Sequence, residues 1–268
     1  GGDDVYVVDH VNDEVIEKAG GGFDVVRTSV NNALGANVEN LILTGRGNIK
    51  GYGNQRNNRL AGNAGNNYLD GRGGADVMIG KGGDDVYVVD HVNDEVIEKV
   101  DGGIDAVRSS ITERLGANVE NLTLVGRENL KGYGNGLNNQ LIGNQGNNFL
   151  DGMAGRDSLT GNGGDDRFIY RSVRDAGANS ATRDVITDFN VDGIDLIDLS
   201  RIDAFHKQGN QDFVYIGKNK FSGTKGEVRF SSRVTFGVIS VNTGRDTEPD
   251  MQIELEGVTE FSPEFLIL

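Results

Sequence analysis

The sequence predicts an all-β chain: a parallel β-roll, which is a solenoid of stacked coils, followed by a C-terminal β cap. Three observations predict this fold class. The 268 residues include 41 Gly but only 2 Pro, a long segment of the chain repeats itself, and inside that segment glycine, a polar residue and an apolar residue recur every nine positions. A repeat this short cannot bury a core alone, so neighbouring repeats must stack.

The charge balance narrows the possible functions. With 41 Asp+Glu against 26 Lys+Arg, the net charge is −15. Such an acid excess argues against nucleic-acid and anionic-membrane partners, because both require basic surface. The absence of Cys excludes disulfides, thiolate-bound zinc and a cysteine nucleophile. No apolar run approaches the ~20 residues of a transmembrane segment.

A module of 81 residues occurs twice. Residues 1–18 read GGDDVYVVDHVNDEVIEK and recur unchanged at 82–99, and GGDD returns a third time at 163–166. The third copy therefore begins at 163, before the sequence changes character. We predict a repeat domain over 1–170 and a C-terminal cap over 171–268, and we expect the chain to be a piece of a longer protein.

Each module contains rows of nine residues with Gly first, usually Gly fourth, Asn or Asp sixth and an apolar residue eighth. The clean rows begin at Gly53, Gly62, Gly71, Gly80, Gly134, Gly143, Gly152 and Gly161. Each row is interpreted as a six-residue turn followed by a three-residue strand. Two rows form one coil of about 18 residues, and glycine at positions one and four is expected to allow positive φ.

The pattern G-G-x-G-x-D-x-U-x resembles the RTX, or hemolysin-type calcium-binding, nonapeptide repeat. This resemblance implies several bound Ca²⁺ ions. It also implies a bacterial protein that is secreted to the extracellular space without a cleaved N-terminal signal.

The physical chemistry of the rows points to the same metal. A carboxylate at position six beside backbone carbonyls supplies the 6–8 oxygens that Ca²⁺ prefers, whereas Mg²⁺ demands tighter geometry. Pairing rows two apart places each Asp over one Asn, which predicts weak sites with a Kd of ~10⁻⁴–10⁻³ M. The predicted side-chain ligands are Asp76 with Asn58, Asp85 with Asn67, Asp157 with Asn139, and Asp166 with Asn148. The predicted carbonyl ligands lie near Gly62, Gly71, Gly73, Gly80, Gly82, Gly143, Gly152, Gly161 and Gly163.

Seven further aspartates are weaker candidates, with ordinary turns as the open alternative. Irregular rows place Asp4, Asp13, Asp24, Asp94 and Asp105 at position six, and the cap contributes Asp188 and Asp195. Asp188, Asn190, Asp192 and Gly193 match the start of an EF-hand loop, but Leu199 replaces the Glu at its twelfth position.

The cap region alternates apolar and acidic residues over 183–204, which is typical of strands. Two more strands around a glycine-containing turn are predicted over 210–230, and another near the end. This block resembles the C-terminal cap of serralysin-type proteases, some RTX lipases and mannuronan C5-epimerases. In those families it closes the β-roll and carries a type I secretion signal. The terminal Glu264 and the four apolar residues after it depart from the usual Asp followed by three.

Catalytic motifs are missing from the sequence. It contains neither H-E-x-x-H nor G-x-S-x-G, so we expect a non-catalytic module. The predicted function is calcium-driven folding outside the cell, with the N-terminal effector domain of the parent protein and the type I secretion apparatus as partners. The alternatives are an accessory module that binds an anionic polysaccharide, as in mannuronan C5-epimerase-like enzymes, and an adhesin stalk.

Overall fold

The computed structural model describes residues 1–190, 193–204 and 212–268. They form an all-β, parallel-stranded β-solenoid, as predicted, with a single turn of 3-10 helix at Pro263–Phe265. The chain divides into two compact units: unit 1 contains Gly1–Ile111 and Leu115–Asn121, and unit 2 contains Thr112–Arg114 and Leu122–Leu268. Across the described residues, no helix has the length and apolar character needed to span a membrane.

Unit 1 consists of short strands in two parallel sheets. The strands are β1 (Val5–Val8), β2 (Val25–Thr28), β3 (Asn32–Ala33), β4 (Asn40–Leu43), β5 (Lys50–Tyr52), β6 (Arg59–Ala61), β7 (Tyr68–Asp70), β8 (Val77–Ile79), β9 (Val86–Val89), β10 (Glu95–Ile97) and β11 (Ala106–Ser109). One sheet has the order β1-β2-β4-β6-β8-β10, and the other runs β3-β5-β7-β9-β11. Consecutive strands therefore alternate between the two sheets along most of the unit.

Unit 2 continues the same strand pattern and adds an antiparallel segment. Its strands are β12 (Glu113–Arg114), β13 (Asn121–Leu124), β14 (Lys131–Tyr133), β15 (Gln140–Ile142), β16 (Phe149–Asp151), β17 (Ser158–Thr160), β18 (Arg167–Ile169), β19 (Asp184–Ile186), β20 (Leu196–Asp198), β21 (Val214–Tyr215), β22 (Glu227–Ser232), β23 (Phe236–Asn242), β24 (Met251–Glu256) and β25 (Leu266–Ile267). One sheet has the order β12-β14-β16-β18-β20-β25. The other runs from β13 through β15, β17, β19, β24, β23 and β22 to β21.

The strand register confirms the predicted coil of two rows. Tyr68 pairs with Val86, and Gln140 with Ser158, each eighteen residues apart. Where β9 pairs with β11, Val86 faces Ala106, so this coil is two residues longer. The insertion Glu98–Lys99 accounts for the extra length, and it recurs as Glu17–Lys18 in the first module.

The eighth residue of each clean row points inward and stacks on its neighbours. These side chains are at most 1% exposed: Leu60, Leu69, Met78 and Tyr87 in unit 1, and Leu141, Leu150, Leu159 and Phe168 in unit 2. Each strand of the clean rows is only three or four residues long, so a single row buries little apolar surface by itself. Row-to-row stacking is therefore what stabilises the fold.

The C-terminal segment differs in one respect from the sequence-based expectation. Strands β19 and β20 lie within the predicted 183–204 segment, and β24 forms the predicted later strand. In the 210–230 segment, however, β21 and β22 pair in parallel rather than as a simple hairpin, with Val214 opposite Glu227. Asp192 of the EF-hand-like stretch lies outside the described residues.

Candidate metal centre

The sixth residues of the rows form hydrogen-bonded ladders. The Oδ1 atom of each aspartate accepts the backbone N–H of the sixth residue one coil earlier. In unit 1, Asn58 N donates to Asp76 at 2.7 Å and Asn67 N to Asp85 at 2.6 Å. In unit 2, Asn139 N donates to Asp157 at 2.8 Å and Asn148 N to Asp166 at 2.7 Å. This contact fixes the register of successive turns.

The second oxygen of these carboxylates is left without a partner. Seven Oδ2 atoms are buried and accept no hydrogen bond from the described residues; they belong to Asp24, Asp76, Asp85, Asp105, Asp157, Asp166 and Asp184. All seven side chains are at most 1% exposed. An unpaired buried carboxylate oxygen is costly unless it is neutralised by a proton or paired with a cation. The repeated orphan oxygen is therefore a positive indication of a ligand.

Burial raises the pKa of these carboxyl groups. The pKa rises to about 6 for Asp76, to about 7 for Asp85, Asp157 and Asp166, and to about 8 for Asp184. Desolvation is the main cause, and the charge of neighbouring acids adds to it. The backbone N–H donor opposes the shift in each case. Burial therefore disfavours the charged form of these carboxyl groups, and a bound cation would favour it again.

Glycine at position one makes room for the orphan oxygen. A Cβ on Gly71 would collide with Asp76 Oδ2, and one on Gly152 or Gly161 with Oδ2 of Asp157 or Asp166. None of these three glycines has positive φ. Positive φ occurs instead at position two, in Arg72, Lys81, Met153 and Asn162, and at position four, in Gly74, Gly83, Gly155 and Gly164. The prediction of positive φ at position one is therefore wrong for these rows. Glycine is needed there because a Cβ would collide with the carboxylate.

The asparagine rows are closed by their own hydrogen bonds. The amide oxygen of Asn58 accepts Asn54 N at 2.7 Å, and that of Asn67 accepts Asn63 N at 2.7 Å. The amide oxygens of Asn139 and Asn148 accept the corresponding backbone N–H in unit 2, at 2.8 and 2.7 Å. The Asn58 amide nitrogen also donates to carbonyls of the coil before. These amides hold their turns together, whereas the aspartates leave an oxygen open.

Four of the weaker candidates, all in irregular rows, fall into two groups. Asp24 and Asp105 are buried and carry an orphan Oδ2. Asp13 and Asp94 cap their own turns, since Oδ2 of each accepts two nearby backbone N–H groups.

Two aspartates of the C-terminal segment have both oxygens engaged. Asp188 accepts from Gly161 N and Asn162 N, and Asp195 accepts from Asp166 N and Asn190 N. Asp4 is exposed, and its N–H donates to Asp24.

The predicted carbonyl ligands differ among themselves. The carbonyl oxygens of Gly71, Gly80, Gly152 and Gly161 each lie against the position-one glycine of the coil before. Those of Gly62 and Gly143 accept hydrogen bonds from Lys81 Nζ at 2.5 Å and Asn162 Nδ2 at 2.7 Å. For the carbonyl oxygens of Gly73, Gly82 and Gly163, the role of calcium ligand stays a prediction.

Two glutamates that were not predicted as ligands also lie beside these aspartates. Glu98 lies with Asp85 and Asp105, all three buried, with one oxygen of each within 4.8 Å of the others. Glu17 lies in the same way with Asp4 and Asp24. Their common place in the identical 18-residue segments was a signal available in the sequence.

The all-oxygen, buried and uncompensated donor set fits a hard divalent cation such as Ca²⁺. Residues 52–87 and 133–168 match a family model described as the RTX calcium-binding nonapeptide repeat, four copies. These rows are RTX calcium-binding nonapeptide repeats. The matched RTX repeats include the four aspartates and four asparagines predicted from the spacing.

Among solved structures, the chain is similar to the AlgE6R3 subunit from the Azotobacter vinelandii mannuronan C5-epimerase. The sequence identity is 24% and the TM-score is 0.41, over 59% of this chain and 82% of that chain. No curated protein matches the chain.

Proposed function

We propose that this chain is a non-catalytic calcium-binding module whose position-six aspartates supply the carboxylate ligands. The observation that carries the proposal is the row of buried Oδ2 atoms without a hydrogen-bond partner. The steric gap left by the position-one glycine supports it, because that gap places the oxygen at the turn rather than in the apolar column.

The hydrogen bonding of the rows divides them into two kinds. Each asparagine oxygen already accepts one backbone N–H within its own turn, so among the side chains the carboxylates are the more open ligands. Stacked aspartates with two orphan oxygens occur as Asp85 with Asp105 in unit 1 and as Asp157 with Asp184 in unit 2. We therefore place the stronger sites at these carboxylate pairs rather than at Asp–Asn pairs, since ligand charge raises calcium affinity.

Metal binding is proposed to drive folding. In calcium-poor surroundings the buried carboxylates would carry unpaired charge, which disfavours the stacked coils. A ligand that binds only the folded form stabilises it by about 2.7 kcal/mol at one hundred times its Kd. RTX repeats are typical of secreted bacterial proteins, and calcium in the extracellular medium would then complete folding after export. The proposed partners are the type I secretion apparatus and an effector domain that the folded roll stabilises.

Far-UV circular dichroism of the chain in chelator and then in millimolar Ca²⁺ tests the proposal. We expect a weaker β signal and a lower melting temperature in chelator, and a cooperative gain in both on adding calcium, with Mg²⁺ at the same concentration giving much less. A chain with the same spectrum and melting temperature in both solutions would contradict it.

A second candidate function is binding of an anionic polysaccharide, and one surface of unit 2 favours it. Strands β12, β14 and β16 carry basic side chains over aromatic rings: Arg114 lies 4.6 Å from the Tyr133 ring centre, and Lys131 lies 5.4 Å from that of Phe149. Lys and Arg can pair with sugar carboxylates, and the aromatic rings beneath them hold these cations in place. Affinity electrophoresis in alginate with calcium present tests this candidate. The polysaccharide should retard the unchanged chain, and Phe149→Ala and Lys131→Ala should each reduce that retardation.

A further inference from the structure

A two-residue insertion lengthens one coil near the start of each module. Glu98 and Lys99 lie between two nine-residue rows, whereas in the clean rows one row follows the other directly. The chain accommodates them by pairing β9 and β11 with a twenty-residue offset. The same insertion, Glu17 and Lys18, gives β1 and β2 the same offset. Both copies of the module therefore carry the insertion at the same place.

The Glu98 side chain is held inward by both of its oxygens. Tyr87 donates its hydroxyl hydrogen to Glu98 Oε1, and the backbone N–H of Lys99 donates to Oε2 at 3.1 Å. Tyr87 occupies position eight, where the other clean rows have Leu, Met or Phe. A tyrosine at this apolar position is explained by its hydroxyl reaching the inserted glutamate.

Three carboxylates converge at this point. A Cβ on Gly80 would collide with Asp85 Oδ2, Tyr87 Oη and Glu98 Oε1 at once, so these oxygens surround one small space. Asp105 supplies the third carboxylate, again within 4.8 Å. Asp85 and Asp105 are both fully buried, and the Oδ2 atom of each has no hydrogen-bond partner among the described residues. Lys99 is exposed and joins none of the ion pairs in the described part of the chain.

We propose that Asp85, Glu98 and Asp105 form a three-carboxylate calcium site, the tightest in this chain, with Tyr87 as the residue that positions Glu98. The inference rests on the proposed calcium function and adds a ligand from outside the nine-residue pattern. A third negative charge on a rigid ligand set raises affinity for Ca²⁺. It favours a trivalent lanthanide still more, because the Coulombic attraction grows with ion charge.

The first module repeats the arrangement in a more open form. Asp4, Glu17 and Asp24 correspond to the same three positions, and Tyr6 donates to Glu17 Oε1 at 2.5 Å. Asp4 is exposed and Glu17 is only partly buried. Solvent therefore screens this cluster, and its affinity is expected to be lower than that of its buried counterpart.

Calcium titration by calorimetry on the chelator-treated chain tests the site. Glu98→Gln keeps the shape and is expected to weaken the tightest binding step by about tenfold or more, because one ligand charge is lost. Glu95→Gln is the matched control: Glu95 is exposed on β10 and loses the same charge, and its titration should overlay that of the unchanged chain.

Tyrosine-sensitised Tb³⁺ luminescence provides a second readout, since the chain has no Trp. The first Tb³⁺ to bind should emit on tyrosine excitation, and Tyr87→Phe should remove most of that early emission. If Glu98→Gln leaves the tightest calcium step unchanged, or Tyr87→Phe leaves the early emission unchanged, the three-carboxylate site is wrong although calcium binding stands. If the unchanged chain binds no calcium, the proposed function itself fails.

Discussion

The backbone N–H of Asn148 lies 2.7 Å from Asp166 Oδ1, and this contact makes the two oxygens of one carboxylate chemically different. Oδ1 joins successive coils, whereas Oδ2 is buried without a partner. The same division occurs at Asp76, Asp85 and Asp157. One side chain thus has both a folding role and an open ligand atom, which links the stability of the roll to cation binding.

The position-one glycine next to an aspartate should tolerate no side chain. In Gly152→Ala the added Cβ would collide with Asp157 Oδ2 and Cγ. Crowding of this kind costs about 1–3 kcal/mol, so the calcium-bound form should lose stability and calcium affinity together, as read by thermal unfolding at several calcium concentrations. Gly136→Ala is the control, because its Cβ meets nothing within 4 Å. Equal effects of the two substitutions would refute the steric role.

The calcium-free form should become less stable as pH rises. The pKa of Asp76 is raised to about 6 and those of Asp85, Asp157 and Asp166 to about 7, above the value of about 3.9 in unfolded chains. The folded state therefore binds more protons than the unfolded state between about pH 4 and 7, and its stability falls across that window. Thermal unfolding in chelator should give a lower melting temperature at pH 8 than at pH 5.

Calcium should reverse this pH dependence. Protons compete with calcium for the same oxygens, so the rise in melting temperature caused by saturating Ca²⁺ should be large at pH 8 and small at pH 5. A calcium effect independent of pH, or a calcium-free form that gains stability from pH 5 to 8, would show that these carboxylates are not the ligands.

The inward column of eighth residues should carry much of the stability. Leu141 is 0% exposed, and Leu141→Ala is expected to cost about 2–5 kcal/mol through lost burial and the cavity left in the stack. Leu137 lies in the adjoining turn with 38% of its surface exposed, so Leu137→Ala should change stability by only about 0.5 kcal/mol. Urea unfolding in saturating calcium measures both, and a similar cost for the two would argue against the column.

The repeat allowed much of the fold to be predicted. The nine-residue spacing places Leu60 and Leu141 inward because strand and turn lengths are set by the row, and the register follows from stacking alone. The pairing of β21 with β22 was missed because no repeat constrains the C-terminal segment, where long-range contacts decide strand direction.

The site was predicted less completely than the fold. The nine-residue spacing identifies Asp76 and Asp157 as candidate ligands. It does not reveal whether the amide oxygen of a position-six asparagine already accepts a hydrogen bond. Asn58 closes its own turn through a backbone N–H that no pattern reveals. Glu98 was overlooked because it belongs to the insertion, outside every row, and only the coil geometry brings it to Asp85.

The most direct test replaces the four ladder aspartates of the clean rows, Asp76, Asp85, Asp157 and Asp166, with asparagine. The chain already has asparagine at this position in the rows where the amide oxygen accepts a backbone N–H of its own turn. The calcium-free variant should therefore melt at or above the temperature of the unchanged chain, and added Ca²⁺ should raise its melting temperature far less. A charge-matched control carries Asp9→Asn, Asp90→Asn, Asp212→Asn and Glu95→Gln, all at exposed positions, and should keep the full calcium response. A ladder variant that melts lower in chelator yet gains as much from calcium as the unchanged chain would contradict the assignment of these carboxylates as the calcium ligands.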